Sequence, residues 1–198
     1  MSNRQALVTR ETGETSIKLE INLDGKGERS IATPVNMLNH LLDLFAKHSS
    51  FDLSVAATGD VHIDDHHTVE DVGIVLGDAF RKALGDKRGI ERFGTAIIPM
   101  DEVLALVSID LAGRYAFSFD VPLSRPVIGD MASEIVYDFF DAFAQNAQAA
   151  LHVKLLTPGR NEHHRVEGIF KAFGRALRIA VAIDERANGE IPSTKGVL

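Results

Sequence analysis

Apolar residues recur along the chain with two periods, and each period is typical of one kind of element. Over residues 15–23 every second residue is apolar, which predicts a strand buried on one face. The polar residues 10–14 before it predict a solvated arm, and Asp24-Gly25-Lys26-Gly27 after it predicts a hairpin turn. Five further strands are predicted over residues 51–56, 93–98, 103–111, 115–121 and 149–155.

Four helices are predicted where apolar residues recur every three to four positions. The first begins at Thr33-Pro34, where threonine suits the N-cap and proline suits the first helical position. The second covers about 66–84, with Asp64-Asp65 as its cap and acidic start. The third begins at Ser133, and the fourth covers about 163–183.

The two halves of the chain carry the same helical pattern. Apolar stripes match at offsets of 98 and 97 residues: Leu38 to Phe45 with Val136 to Phe143, and Val69 to Ala83 with Val166 to Ala180. A two-fold repeat of strands, helix, strand and helix predicts an α+β protein of two duplicated halves, each with its helices on one face of a sheet. We take residues 1–92 as the first half and 93–198 as the second.

Composition limits the class of protein. With 198 residues, of which 45% are hydrophobic, the chain can bury a substantial core. A net charge of -7, with no run of lysine and arginine, argues against a nucleic-acid or membrane-surface partner. The sequence contains neither a signal-peptide pattern at its start nor an apolar run long enough to span a bilayer. We therefore expect a cytoplasmic protein.

One metal-binding pattern occurs twice, as His66-His67-Thr68-Val69-Glu70 and as His163-His164-Arg165-Val166-Glu167. On a helix each histidine shares a face with the glutamate, at i, i+4 or i, i+3, whereas the two adjacent histidines diverge by about 100°. We therefore expect each histidine of a pair to serve a different ion, which gives two metals with about four protein donors each. His40 and its counterpart in the repeat, Asp138, add one donor in each half.

The chain contains no cysteine, so any metal would have only nitrogen and oxygen ligands. Such ligands suit Mn²⁺, Fe²⁺, Zn²⁺ or Co²⁺. Asp64, Asp65 and Asp71 flank the first histidine pair and are candidates to orient imidazole N–H groups. Because a chain with this much core does not need a structural metal, we favour a catalytic site.

Other interpretations remain open on the residues alone. A dinuclear metallophosphoesterase accounts for Asp65-His66-His67, but not for the glutamates at fixed spacing or for the second motif. A non-catalytic metal-binding assembly protein accounts for the histidines, but gives no role to Glu14, Arg92, Arg114 and Lys195. A third interpretation of the paired histidines is a solvated, histidine-rich surface turn that binds no metal.

Four segments, taken in order, resemble the imidazoleglycerol-phosphate dehydratase family of histidine biosynthesis. They are Asp64-Asp65-His66-His67-Thr68-Val69-Glu70-Asp71, Lys87-Arg88-Gly89-Ile90-x-Arg92-Phe93-Gly94, His163-His164-Arg165-Val166-Glu167-x-x-Phe170-Lys171-Ala172-Phe173 and Pro192-Ser193-Thr194-Lys195-Gly196-Val197-Leu198. The resemblance implies a hydro-lyase that dehydrates D-erythro-imidazole-glycerol phosphate to imidazole-acetol phosphate. It also implies two manganese ions per active site, halves similar to the second domain of ribosomal protein S5, and a twenty-four-subunit homo-oligomer with active sites between subunits.

The resemblance also assigns roles to particular residues. The implied metal ligands are His40, His66, His67, Glu70, His163, His164 and Glu167, with Asp138 at the eighth ligand position. The implied catalytic residues are Glu14, which would move the proton, with His66 and His67. The implied substrate-binding residues are Glu14, His40, His48, His66, His67, Glu70, Arg92, Arg114, His163, Lys171, Ser193, Thr194 and Lys195. Among these, the arginines, the lysines and Ser193 would hold the phosphate through charge-assisted hydrogen bonds.

One position departs from the family pattern. Where the family commonly has a histidine in a Glu-His-Phe-Phe run, this chain has Tyr137-Asp138-Phe139-Phe140. An aspartate can ligate Mn²⁺, but it is shorter than histidine and adds a negative charge. Direct ligation, ligation through a water molecule and no ligation are all compatible with the sequence.

Overall fold

Residues 4–196 are described by a computed structural model, and residues 1–3, Val197 and Leu198 lie outside the described part. The last two belong to the C-terminal motif. The first half contains β1 (Gln5–Glu11), β2 (Thr15–Asn22), β3 (Arg29–Ala32), α1 (Asn36–Ser49), β4 (Asp52–Gly59) and α2 (His66–Leu84).

The second half repeats this order with a short insertion. It contains β5 (Phe93–Met100), β6 (Val103–Asp110), β7 (Ala116–Asp120), β8 (Val127–Ile128), β9 (Met131–Ala132), α3 (Ile135–Ala147), β10 (Ala150–Thr157) and α4 (Glu162–Ala180). A 3₁₀ helix, Glu185–Ala187, precedes the tail. None of the helices in residues 4–196 is long and apolar enough to cross a membrane.

The two main sheets have the same topology, which confirms the α+β fold with two repeated halves. The strand orders are β1-β2-β4-β3 and β5-β6-β10-β7. In each sheet three strands are antiparallel, and the last strand pairs in parallel with its neighbour. Along β2 and β6 every second side chain is buried, so one face of each sheet is buried. The helices cover that face.

The strand pairings reveal a second offset between the halves. Leu19 of β2 pairs with Val55 of β4, and Val107 of β6 pairs with Val153 of β10. The first hairpin therefore matches the second at an offset of 88 residues, whereas β4 and the helices match at 98 or 97. The extra residues lie between β7 and α3, where the second half contains β8 and β9.

The helices of the two halves pack against each other, α1 against α4 and α2 against α3. Glycines allow the close approach in both pairs. A Cβ on Gly77 of α2 would lie 2.6 Å from the carbonyl oxygen of Phe143, and one on Gly174 of α4 would lie 2.8 Å from that of Phe45. These two contacts are equivalent in the repeat, so the helix packing is duplicated as well as the sequence pattern.

Two local predictions in the first half were wrong. Residues 10–14 do not form a free arm, because β1 extends to Glu11 and pairs with β2 through a turn at Thr12-Gly13-Glu14. Residues 24–27 do not close a hairpin, since β3, the next strand, pairs in parallel with β4. Instead, the carboxylate of Asp52 accepts hydrogen bonds from the backbone N–H groups of Lys26 and Glu28 and fixes this connection.

The predicted helix caps also differ from the structure. Helix α1 begins at Asn36, and Thr33 bonds the N–H of Val35 instead of capping the helix. The carboxylate of Asp130, between β8 and β9, accepts from the backbone N–H groups at the start of α1. Helix α3 begins at Ile135, and its N-cap residue is Glu134 instead of Ser133, without a capping hydrogen bond from the Glu134 side chain. A distant residue therefore replaces the local cap of α1.

Candidate metal centre and active site

The packing of α1 against α4 brings together three donors predicted from the sequence. His40 Nε2 lies 2.5 Å from Glu167 Oε1, and His163 Nε2 lies 3.3 Å from the same oxygen. The two imidazole rings stack at 5.6 Å between centroids. The ligand atoms of all three residues lie within 4.8 Å of one another, beside a cavity of about 470 Å³. This group can hold one divalent cation.

The glutamate of this group is ionised under ordinary conditions. Burial acts to raise the pKa of Glu167, but hydrogen bonds from Lys171 and His40 outweigh it, so the pKa lies below its usual value. Lys171 Nζ lies 3.0 Å from Glu167 Oε2. The carboxylate is therefore held between a cation and an imidazole, with one oxygen turned to each.

His164 points away from the first group and belongs to a second one. Its Nδ1 lies 3.0 Å from Glu102 Oε2, and its Nε2 lies 3.7 Å from Asp101 Oδ2. These three residues also have ligand atoms close enough to hold a metal ion. The hydrogen bond from His164 is the largest cause that lowers the pKa of Glu102, to about 2. The carboxyl group of Glu102 is therefore negatively charged.

The first histidine pair lies at the start of α2. The rings of His66 and His67 are nearly perpendicular, with an interplanar angle of 87°. His66 Nε2 lies 3.5 Å from Glu70 Oε2, whereas His67 Nδ1 faces both carboxylate oxygens of Asp60 at 3.1 and 3.2 Å. The hydrogen bond to Asp60 is the largest cause that raises the pKa of His67.

The turn between β1 and β2 brings Glu14 to this histidine pair. Glu14 Oε2 lies 3.8 Å from His67 Nδ1, and the carbonyl oxygen of Glu14 accepts from the backbone N–H of Asp60. The Glu14 side chain is 55% exposed. A carboxylate that the sequence predicted on a polar arm thus lies beside a predicted metal ligand.

Asp138 lies apart from these groups. It is half-buried on α3, beside a cavity that Ser133 and Tyr137 also line. Among residues 4–196, neither group of close metal donors includes Asp138, His66 or Glu70. One chain therefore assembles the donors of α1 and α4, but leaves those of α2 and α3 separate.

The predicted phosphate-binding side chains are spread over several elements. Arg92 forms two hydrogen bonds with the carboxylate of Asp110 and a third with the carbonyl oxygen of Pro192. Arg92 thereby attaches the C-terminal tail to the second sheet. In this tail Ser193 Oγ accepts from the backbone N–H of Lys195.

Three further residues predicted to bind substrate occupy different environments. Arg114 is exposed on the turn before β7, and Thr194 is exposed in the tail. His48, at the end of α1, is half-buried. Burial, followed by the charges of Lys171 and Arg175, lowers the pKa of His48. His48 is therefore neutral near neutral pH, and it lies close to the cation that neighbours Glu167.

The β8–β9 hairpin holds both helix starts that carry the first-half donors. Asp130 caps α1, and the backbone N–H of Ala132 donates to Asp65 at the start of α2. Sequence reasoning missed Asp130, as well as Asp60 and Glu102. The only signal for Glu102 is its match to Glu14 at the 88-residue offset, which becomes visible once the strand pairings are known.

The donor sets fit a divalent transition metal, because they combine imidazole nitrogens with carboxylate oxygens. Fold and site together define an α+β protein of two duplicated halves that presents histidine–carboxylate groups at the starts of its helices. Residues 33–177 match the family model of imidazoleglycerol-phosphate dehydratase. The chain belongs to the imidazoleglycerol-phosphate dehydratase family, a family of hydro-lyases in histidine biosynthesis.

Similar proteins support this assignment over the full chain. The imidazoleglycerol-phosphate dehydratase of Desulforamulus reducens is 55% identical over 198 residues, which is 100% of both chains. The crystal structure of the Staphylococcus aureus enzyme is 40% identical with a TM-score of 0.82, covering 90% of this chain and 99% of that chain. The Pyrococcus furiosus structure is 37% identical with the same TM-score, covering 96% and 100%. The metallophosphoesterase and assembly-protein alternatives are not favoured.

Proposed function

We propose that this chain dehydrates D-erythro-imidazole-glycerol phosphate to imidazole-acetol phosphate, with loss of water. Its family and its close relatives carry the name of this activity. The observation that carries the proposal is the position of Glu14, whose carboxylate lies 3.8 Å from His67. A proton-accepting group next to metal donors is what a dehydration at a polarised carbon requires.

Two manganese ions per active site are part of the proposal. The ligands would be His40, His66, His67, Glu70, Asp138, His163, His164 and Glu167. Bound metal would supply Lewis-acid polarisation and would make an imidazole N–H more acidic. The stacked His40 and His163, which share Glu167, support the assignment of one such site.

Glu14 would remove or return the carbon-bound proton. Its exposed carboxylate has no hydrogen bond to His67 at 3.8 Å, so it can turn toward a substrate beside the histidine pair. The hydrogen bond from Asp60 N–H to its carbonyl oxygen holds the backbone of the turn, while the side chain is 55% exposed. This combination suits a group that carries a proton between two positions.

The phosphate would be bound by Arg92, Arg114, Lys171, Ser193 and Lys195, and Thr194 would lie beside it in the tail. Arg92 and Lys171 already bind the carboxylates of Asp110 and Glu167. A phosphate must therefore compete with these carboxylates or share the cations with them. His48, which is neutral and close to Lys171, would contact the substrate without adding charge.

Assembly into a twenty-four-subunit homo-oligomer in the cytoplasm completes the proposal. The outer face of the second sheet exposes large apolar side chains, with Phe93 at 58% and Ile97 at 51% exposure. Ile97 also pairs with Leu106 on the same sheet. Exposed large apolar side chains favour association with another subunit. Active sites between subunits would bring together donors that lie apart in one chain, such as Asp138 and the group of His40, His163 and Glu167.

The experiment is a turnover assay with the purified chain, stripped of metal and then loaded with Mn²⁺. We expect imidazole-acetol phosphate to appear only in the loaded protein, as followed by NMR of the imidazole protons. Release of inorganic phosphate instead would support the metallophosphoesterase alternative. Tight Mn²⁺ binding without any turnover would support the metal-binding assembly alternative, and either result would refute the proposed dehydration.

A further inference from the structure

The second histidine of each pair makes the same contact with its δ nitrogen. His67 Nδ1 faces both oxygens of Asp60 at 3.1 and 3.2 Å, and His164 Nδ1 faces Glu102 Oε2 at 3.0 Å. The first histidines behave differently: His66 and His163 direct Nε2 toward the glutamate of their own helix. Each pair therefore contains one histidine whose δ nitrogen is held by a carboxylate from outside the helix.

We propose that Asp60 and Glu102 are positioning residues that fix Nε2 as the metal-binding atom of His67 and His164. The inference rests on the metal-binding part of the proposed function. A neutral imidazole that donates its Nδ1–H to a carboxylate keeps its lone pair on Nε2. Metal-ligating histidines generally donate their other N–H in this way, which sets the ring orientation and strengthens the ligand.

The surroundings of His164 support this tautomer independently. The backbone N–H of His163 donates to Asn161 Oδ1 at 3.0 Å, which fixes the orientation of the amide. The amide nitrogen of Asn161 then faces His164 Nε2 at 3.4 Å. Because an NH₂ group can only donate, Nε2 is the acceptor and Nδ1 carries the proton.

Both carboxylates are themselves held in place. Glu102 Oε1 accepts from the backbone N–H groups of Arg160 and Asn161, at 3.2 and 3.0 Å. These residues form the turn that leads into α4, so Glu102 joins the turn before β6 to the start of the helix that carries His164. The side chain of Asp60 is only 14% exposed, and its backbone is bonded to the turn that contains Glu14.

The two carboxylates are not equivalent in the repeat. Glu102 precedes β6 as Glu14 precedes β2, so at the 88-residue offset the counterpart of Glu102 is Glu14. Glu14 also approaches His67 Nδ1, but only to 3.8 Å. In the first half the contact with the histidine Nδ1 is therefore made by Asp60, and not by Glu14, the counterpart of Glu102. The first half therefore has two carboxylates beside the same imidazole. Asp60 holds the ring, and Glu14 is left to transfer the proton of the proposed reaction.

The first test is the tautomer of each histidine in the metal-free protein, measured by two-bond ¹H–¹⁵N NMR at about pH 8.5, where histidine is neutral. We expect the Nδ1–H form for His67 and His164. We expect Asp60→Ala and Glu102→Ala each to shift its own histidine toward Nε2–H. The conservative variants Asp60→Asn and Glu102→Gln keep an acceptor oxygen, so each should retain the Nδ1–H form.

The second test is Mn²⁺ affinity, measured by competition with a fluorescent chelator. The two alanine variants should bind about 10- to 100-fold more weakly, and the conservative variants should recover most of the loss. Asp86→Ala, which removes an exposed carboxylate paired with Arg88, is the matched control and should bind as the wild type does. Neither test needs substrate, so failure of the dehydration assay would not affect them.

Three results would overturn the inference. The first is an Nε2–H form of His67 or His164 in the metal-free wild type. The second is unchanged Mn²⁺ affinity in both alanine variants. The third is a loss of affinity in Asp101→Ala as large as in Glu102→Ala with the His164 tautomer unchanged in both, which would make Glu102 a direct ligand.

Discussion

His40 on α1 and Glu167 on α4 lie 2.5 Å apart, so a pair of candidate metal donors spans the contact between the two halves of the chain. We predict that Glu167→Gln weakens Mn²⁺ binding by on the order of tenfold or more, because it removes the charge of a shared ligand. The measurement is a competition titration with a chelator. Unchanged affinity would exclude Glu167 as a ligand.

A matched control separates metal binding from general loss of charge. Glu185→Gln removes a carboxylate from the 3₁₀ helix before the tail, where no residue is buried. We expect Glu185→Gln to bind Mn²⁺ as the wild type does. The thermal midpoint of both metal-free variants shows whether the loss of Glu167 also disturbs the packing of α1 against α4.

Glu14→Gln should separate catalysis from metal binding. We expect kcat to fall by about 10²- to 10⁴-fold, the usual contribution of a positioned acid or base, while the metal content per subunit stays the same. Elemental analysis and the turnover assay on one preparation provide both values. Glu11→Gln, at the end of β1, is the control. Turnover unaltered by the loss of the Glu14 carboxylate would remove this residue from the mechanism.

Gly77→Ala tests the duplicated helix packing. The new Cβ would lie 2.6 Å from the carbonyl oxygen of Phe143, so α2 and α3 must separate. We expect the free energy of unfolding to fall by about 2 kcal/mol despite the better helix propensity of alanine. Gly174→Ala should have a similar cost at the equivalent contact of α4.

The control for both is Gly13→Ala, because a Cβ there has no neighbour within 4 Å. Urea denaturation at one fixed protein concentration provides the comparison for all three variants. If Gly77→Ala and Gly174→Ala were as stable as Gly13→Ala, the close helix contacts would not limit the fold.

Asp52→Asn should destabilise the protein in a pH-dependent way. Burial acts to raise the pKa of Asp52, but hydrogen bonds from the backbone of Lys26 and Glu28 outweigh it, so the pKa lies below 3.8. A carboxyl group whose pKa is lowered on folding stabilises the fold at pH values above its unfolded-state pKa. This stabilisation is lost as the pH falls through the folded-state pKa of the group. The variant should therefore be less stable by about 2 kcal/mol at pH values above about 5 and should approach the wild type in stronger acid.

Urea denaturation of metal-free protein at neutral and acidic pH measures this difference without interference from metal release. Asp120→Asn removes an exposed carboxylate that pairs with Lys154 and should change stability little at either pH. A stability gap between Asp52→Asn and the wild type that persists in strong acid would contradict the assigned role of the carboxylate.

The sequence predicted the features that depend on local periodicity. The four helices and the duplication follow from helical spacing, and both are present. The α1–α4 site was anticipated as a set of residues, because His40, His163 and Glu167 were each singled out as donors. The roles of the separate ligands remain predictions.

The sequence did not predict contacts between residues far apart in the chain. Asp130 caps α1 from 94 residues away, and Glu102 bonds His164 across 62 residues. No periodicity encodes such pairs, because they depend on how the β8–β9 hairpin and the β5–β6 turn lie in three dimensions. β1 was missed for a related reason, since Gln5–Glu11 forms a strand by pairing with β2.

The crossed pairing of helices, α1 with α4 and α2 with α3, means that each half covers the apolar surface of the other. A half-length chain would expose the buried stripes of both its helices to water, and a second copy of the same half would cover them best.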